Sequence, residues 1–110
     1  MARIVRVAAV QIEPHLADLD YNRARIVERL SEAAGEGAQL VVFPECATSG
    51  YNFDSLAEAR RAAEPIPGPT VKAAARIARK HKAHLVLSLY ENYQNRIYNA
   101  VVLLSPRGKI

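Results

Sequence analysis

Four consecutive apolar residues, Leu40-Val41-Val42-Phe43, are followed at once by Pro44 and Glu45. This stretch constrains the fold more than any other. So short an uninterrupted apolar run, bounded by turn residues, predicts a strand buried on both faces, as in a parallel sheet. Pro44 has no N–H to give to a ladder, so the strand ends there. Glu45 then stands at the carboxyl end of the strand, where open α/β sheets bind ligands. A partly buried carboxylate so placed is a candidate general base, because burial raises its pKa toward the working range. Two ordinary roles compete: capping the N–H groups of the following turn, or pairing with one of the 15 Lys and Arg residues. Gly50 permits a sharp turn that aims Tyr51, a candidate pocket residue or an aromatic packed under the loop.

The flanking sequence alternates between strand and helix. Ile4–Val10 predicts a first strand, mostly buried, closed by Gln11 and Glu13-Pro14. Asp20 is the expected N-cap of a helix to about Ala34, with Ala24, Val27, Leu30 and Ala34 on one face and Ile26 and Ala33 widening it. Arg23, Arg25, Glu28, Arg29 and Glu32 form its solvated side, and Gly35 and Gly37 stop it. Strand, helix and strand within some forty residues make a βαβ unit with parallel strands. Ser55-Leu56-Ala57-Glu58 has the pattern of a capping box and opens a short helix to about Ala63. Pro65-Ile66-Pro67-Gly68-Pro69 is a stiff connector. Gly68 or Thr70 caps a helix to about Lys82, with Val71, Ala74, Ala75 and Ala78 inward. His84–Tyr90 predicts a third strand, Glu91–Asn95 a polar turn, and Ile97–Leu104 a fourth strand antiparallel to the third. Ser105-Pro106-Arg107-Gly108 carries the residues of a type I turn.

At 110 residues the chain holds one domain at most, and 50% apolar content suits a packed core. A single cysteine and the lack of a signal-like segment point to a reducing, cytoplasmic setting. No apolar run approaches the roughly 20 residues that cross a bilayer, so no membrane role is expected. His15, His81, His84 and Cys46 lack metal-ligand spacing, and there is no glycine-rich phosphate loop, so neither metal nor cofactor is implied. Lys72, Arg76, Arg79, Lys80, His81 and Lys82 crowd one helix, which raises an anion- or nucleic-acid-binding reading. With no interleaved aromatics and a net charge of only +4, a solvated face explains them better, and no nucleic-acid partner is expected. The turn at Ser105–Gly108 leads into two residues only, which implies an N-terminal piece of a longer domain with an exposed edge and an uncovered sheet face.

Taken in order, these motifs resemble the nitrilase or carbon–nitrogen hydrolase superfamily. The resemblance is carried by Val7-Ala8-Ala9-Val10-Gln11, Asp18 with Asn22, Gly37 through Glu45, Ser49-Gly50-Tyr51, Pro67-Gly68-Pro69, Tyr98-Asn99-Ala100 and Gly108-Lys109-Ile110. It implies an α/β fold that is the N-terminal part of an α-β-β-α sandwich, a mixed sheet with helices on one face, in a protein that forms homo-oligomers. It also implies Glu, Lys and Cys as the catalytic set, acting on a small-molecule amide or nitrile. Of these only Glu45 carries over. The resemblance places the lysine and the nucleophilic cysteine beyond Ile110. Lys109 belongs to the preceding turn, and Cys46 is expected to be a small buried core residue. Asn99 is expected to pair the fourth strand, and Glu91 to be a solvated turn residue. Nitrile, aliphatic amide, carbamoyl amine and glutamine all stay open as substrates. A non-catalytic interaction domain with the same fold is the alternative.

Overall fold

The computed structural model describes residues 2–110. Strands β1 (Val7–Ala9), β2 (Leu40–Val42), β3 (His84–Tyr93) and β4 (Arg96–Leu104) form one sheet in the order β1-β2-β3-β4. The first three are parallel and the fourth is antiparallel to β3. Helix α1 (Leu19–Gly35) links β1 to β2, and α2 (Leu56–Ala62) and α3 (Pro69–His81) link β2 to β3. The mixed sheet expected from the sequence is therefore present, and α1 and α3 cover a single face of it.

That covered face is the core. Val41, Leu85, Leu87, Leu89, Val102 and Leu104 meet Ile26 and Leu30 of α1 and Val71 and Ala74 of α3. Each Val, Leu or Ile side chain among them contributes about 1.5–3 kcal/mol on leaving water. The opposite face is open: Val101 is 67% and Leu103 is 55% exposed, in register with Ser88 and Val86. With helices on one side only, the buried strand positions alternate instead of running on. Leu40 and Val42 are half-buried around buried Val41, and β1 is mostly exposed rather than mostly buried. Only three residues of the Ile4–Val10 run join the regular ladder, although Val10 N still donates to Val42 O at 2.8 Å.

Other local expectations shift for identifiable reasons. Helix α1 is capped by Asp18, whose Oδ1 accepts from Tyr21 N at 3.1 Å, and Asp20 sits in its first turn. Its buried stripe is Asn22, Ile26, Leu30 and Ala34, four residues apart, and Ala24 is exposed. Arg25–Glu28 and Arg29–Glu32 pair along the solvated side, where water screens such ion pairs and they add little to stability. The expected five-residue turn after β3 is shorter: β3 continues to Tyr93, Glu91 pairs with Tyr98, and Gln94-Asn95 alone turn the chain. Their φ values of 50° and 62° give the left-handed pair whose twist suits a two-residue hairpin.

Gly68 caps α3 but brings no side chain to the helix end. Glu64 replaces it. Its Oε1 accepts from Thr70 N and Thr70 Oγ1, both at 3.1 Å, and the residue is 4% exposed. Arg23 Nη2 lies 3.7 Å from the same oxygen. A Cβ at position 68 would stand 2.5 Å from Pro65 O, so glycine is the residue that lets the connector fold back and deliver Glu64 to the helix end.

Candidate active site

Glu45 leaves the carboxyl end of β2 and faces the open side of the sheet. Pro44 ends the strand, and Phe43 N makes the last ladder-like bond, to Val86 O at 3.1 Å. The chain then turns sharply at Cys46, a non-glycine residue at φ 50°. Such left-handed backbone costs energy and persists only where the surroundings over-determine it. Here β3 supplies the constraint. Cys46 N donates to Ser88 Oγ at 2.9 Å and Ala47 N donates to Ser88 O at 3.1 Å. Ser49 N and Gly50 N then both donate to Cys46 O, at 3.1 and 2.8 Å.

From the other side Asn22 clamps the turn. Its Nδ2 donates to Thr48 O at 3.0 Å and to His15 O at 2.7 Å, while its Oδ1 accepts from His15 N at 2.8 Å. Ala17 N adds a bond to Ser49 O at 2.8 Å. One buried amide thus ties α1, the loop before it and the Glu45 turn together. Residues 46–50 are all buried, which makes the base of Glu45 rigid.

The Glu45 side chain is exposed rather than partly buried, because no described residue covers this face of the sheet. It is nonetheless held: Asn99 Nδ2 donates to Glu45 Oε1 at 2.8 Å. Glu45, Asn99, Phe43, Val86, Ser88 and Val101 line an open depression of about 460 Å³. A carboxylate fixed at the rim of an apolar-floored depression can accept a proton from a group brought in above it. Tyr51 is 62% exposed and is not among the residues that line this depression.

Cys46 is fully buried, its Sγ 3.9 Å from Asn99 Oδ1. Burial pushes its thiol pKa up, and the Glu45 charge pushes it further, against smaller hydrogen-bond contributions from Tyr90 and Ser88. A thiol so placed stays protonated and is a poor nucleophile. Tyr90 is likewise raised, first by burial and then by its proximity to Cys46. Sequence reasoning missed two contributors. Ser88 falls inside the predicted third strand with no role of its own there, and its contact with the turn depends on the β2–β3 register. Asn99 read as a strand-pairing residue; it does pair with Tyr90, but its side chain reaches across to Glu45.

The cationic residues Lys72, Arg76 and Arg79 lie on the far, helical side, where with Lys109 they edge a groove between α3 and the C-terminal turn. Among the described residues no group of three or more His, Cys, Asp or Glu is placed to hold a metal ion. No described helix is long and apolar enough to cross a membrane.

Comparison with known proteins identifies the family and the fold. The family model described as carbon–nitrogen hydrolase matches residues 6–110. A nitrilase of Pyrococcus abyssi is 36% identical over 108 residues, covering 97% of this chain and 41% of that protein. An (R)-stereoselective amidase of a Pseudomonas species is 33% identical over 104 residues, covering 94% of this chain and 37% of the amidase. The chain thus spans about two-fifths of the length of these relatives. Among solved structures, a CN-hydrolase superfamily protein of Xanthomonas campestris superposes with a TM-score of 0.81 at 28% identity, over 94% of this chain and 37% of that one. An N-terminal amidase has the same fold, with a TM-score of 0.81 at 21% identity, over 94% of this chain and 26% of its own. The match of the family model over residues 6–110 shows that the chain belongs to the carbon–nitrogen hydrolase family.

Proposed function

We propose that this chain is the N-terminal portion of a single α-β-β-α domain that hydrolyses a non-peptide carbon–nitrogen bond, and that Glu45 is its general base. The observation that carries the proposal is the Glu45 carboxylate held by Asn99 at the end of β2, beside a depression in an uncovered sheet face. Polypeptide outside these residues would complete the pocket and bring a lysine and a nucleophilic cysteine, as the resemblance implies.

The chemistry then balances simply. Glu45 takes the proton of the incoming cysteine, and the thiolate adds to the amide carbon. The lysine ammonium stabilises the oxyanion that forms. As the C–N bond breaks, the proton passes from Glu45 to the departing nitrogen, leaving ammonia and a thioester. Glu45 next takes a proton from water, hydroxide adds to the thioester carbon, and the C–S bond breaks as Glu45 returns that proton to the sulfur, giving the acid and the free thiol. With a nitrile the first adduct is a thioimidate, and two waters are consumed in all. Cys46 is not the nucleophile, since it is buried beneath the turn and burial holds its proton on.

The isolated 110 residues are therefore expected to hydrolyse no amide or nitrile. Ammonia release from phenylacetonitrile, propionamide, an N-carbamoyl amino acid and glutamine checks this. Turnover by the isolated chain contradicts the proposal, and turnover by the full-length protein alone supports it.

A further inference from the structure

We propose that Asn99 is a positioning residue for Glu45, and that the Cys46 thiol fixes the orientation of the Asn99 amide. The inference rests on the reading of Glu45 as the general base. Three side chains from two places in the chain, the Glu45-Cys46 turn and β4, form one hydrogen-bonded line. The Cys46 thiol faces Asn99 Oδ1 at 3.9 Å, and Asn99 Nδ2 donates to Glu45 Oε1 at 2.8 Å. Asn99 is itself anchored by the β3–β4 ladder opposite Tyr90. Among the described residues it is the hydrogen-bond partner of the Glu45 carboxylate.

An asparagine amide can be turned by half a revolution with almost no change in shape. Turned, it would set its carbonyl oxygen against the Glu45 carboxylate, two acceptors with no proton between them. The thiol helps decide the orientation. Burial first, and Glu45 second, hold the proton on Cys46 against the smaller hydrogen-bond contributions of Tyr90 and Ser88, so the sulfur presents an S–H, a weak donor within 3.9 Å of the Asn99 carbonyl oxygen. The amide nitrogen is then left facing Glu45. This matters because Glu45 is exposed, and a glutamate without an anchor spreads over many rotamers. A displacement of about 1 Å at a reacting group costs up to about 10²-fold in rate. The line also assigns work to the left-handed Cys46 backbone, which packs the thiol inward under Asn99 while Glu45 projects outward.

The test uses the full-length protein, with ammonia release from the same four substrates and Glu45→Gln measured alongside. Asn99→Leu is expected to lower kcat by about 10–100-fold with KM changed less than about threefold. Asn99→Asp is nearly isosteric but puts a second carboxylate against Glu45, and two such groups share one proton. Its activity is expected to be low at neutral pH and to recover as pH rises, a recovery that Asn99→Leu does not show. Cys46→Ser, which keeps a donor, is expected to exceed Cys46→Ala by about tenfold in kcat.

Parallel pH profiles for Asn99→Asp and Asn99→Leu overturn the inference, since a role in strand pairing alone lowers activity without shifting its pH dependence. If Asn99→Asp does not fold, the Cys46 pair decides, and equal activities for Ser and Ala overturn it. A fully active Glu45→Gln, or an unsubstituted protein inactive on all four substrates, removes the parent reading and this one with it. An inactive Glu45→Gln beside unaffected Asn99 variants removes this one alone.

Discussion

Replacing Glu45 with glutamine is expected to lower kcat/KM of the full-length protein by about 10²–10⁴-fold, the range that general-base catalysis contributes. The fold should survive. Glutamine has nearly the same volume, the side chain is exposed, and its carbonyl oxygen can still accept from Asn99 Nδ2 as Glu45 Oε1 does at 2.8 Å. What is lost is the ability to take a proton. The measurement pairs steady-state ammonia release with a thermal melt followed by circular dichroism. Undiminished turnover in a folded Glu45→Gln protein would sink the assignment, whatever the family resemblance suggests.

The second large effect is on stability. Asn22→Ala removes one side chain that serves three backbone groups: the N–H and carbonyl of His15 and the carbonyl of Thr48. Asn22 is 1% exposed, so water cannot readily replace it. Leaving buried backbone groups unpaired costs about 1–3 kcal/mol each, with partial relaxation reducing the sum. We expect a loss of about 2–4 kcal/mol, read as a fall in the denaturant midpoint at unchanged slope. Because the same amide clamps the turn that carries Glu45, activity should fall as well, even where the variant is fully folded. A change below about 0.5 kcal/mol would mean that the turn is held by β3 alone.

Asn22 also shows why parts of the fold were legible in the sequence and others were not. The Leu40–Phe43 run and the βαβ order followed from apolar periodicity, because the core really is a sheet face packed by two helices. The phase of α1 did not follow. A polar residue occupies the first position of its buried stripe, so a count of apolar residues alone drew the stripe through Ala24, which is exposed. The helix start slipped for a related reason. Asp18 and Asp20 are both good caps by type, and only the Tyr21 N–H shows which one serves.

Longer-range features were less visible still. Glu64 caps α3 from outside the helix, across a proline-rich connector. Its sequence signal is an acid a few residues upstream of a glycine N-cap, which is recognisable only once the connector is known to fold back. The Gln94-Asn95 hairpin lacks a glycine, so its two left-handed residues read as part of a longer polar turn. The site itself was half legible. Glu45 stood out because a strand ends there, whereas Asn99, 54 residues later, meets it only through sheet register. Tyr51 follows the glutamate turn in sequence, yet it is exposed and does not line the depression.

The most direct test of the whole account is a crystal structure of the full-length protein, read at the Glu45 carboxylate. The expected result is a cysteine sulfur from beyond residue 110 within hydrogen-bond reach of that carboxylate, above the face of the sheet that carries Val101 and Leu103. A Glu45 side chain directed into bulk water, with no thiol from outside these residues beside it, would contradict it.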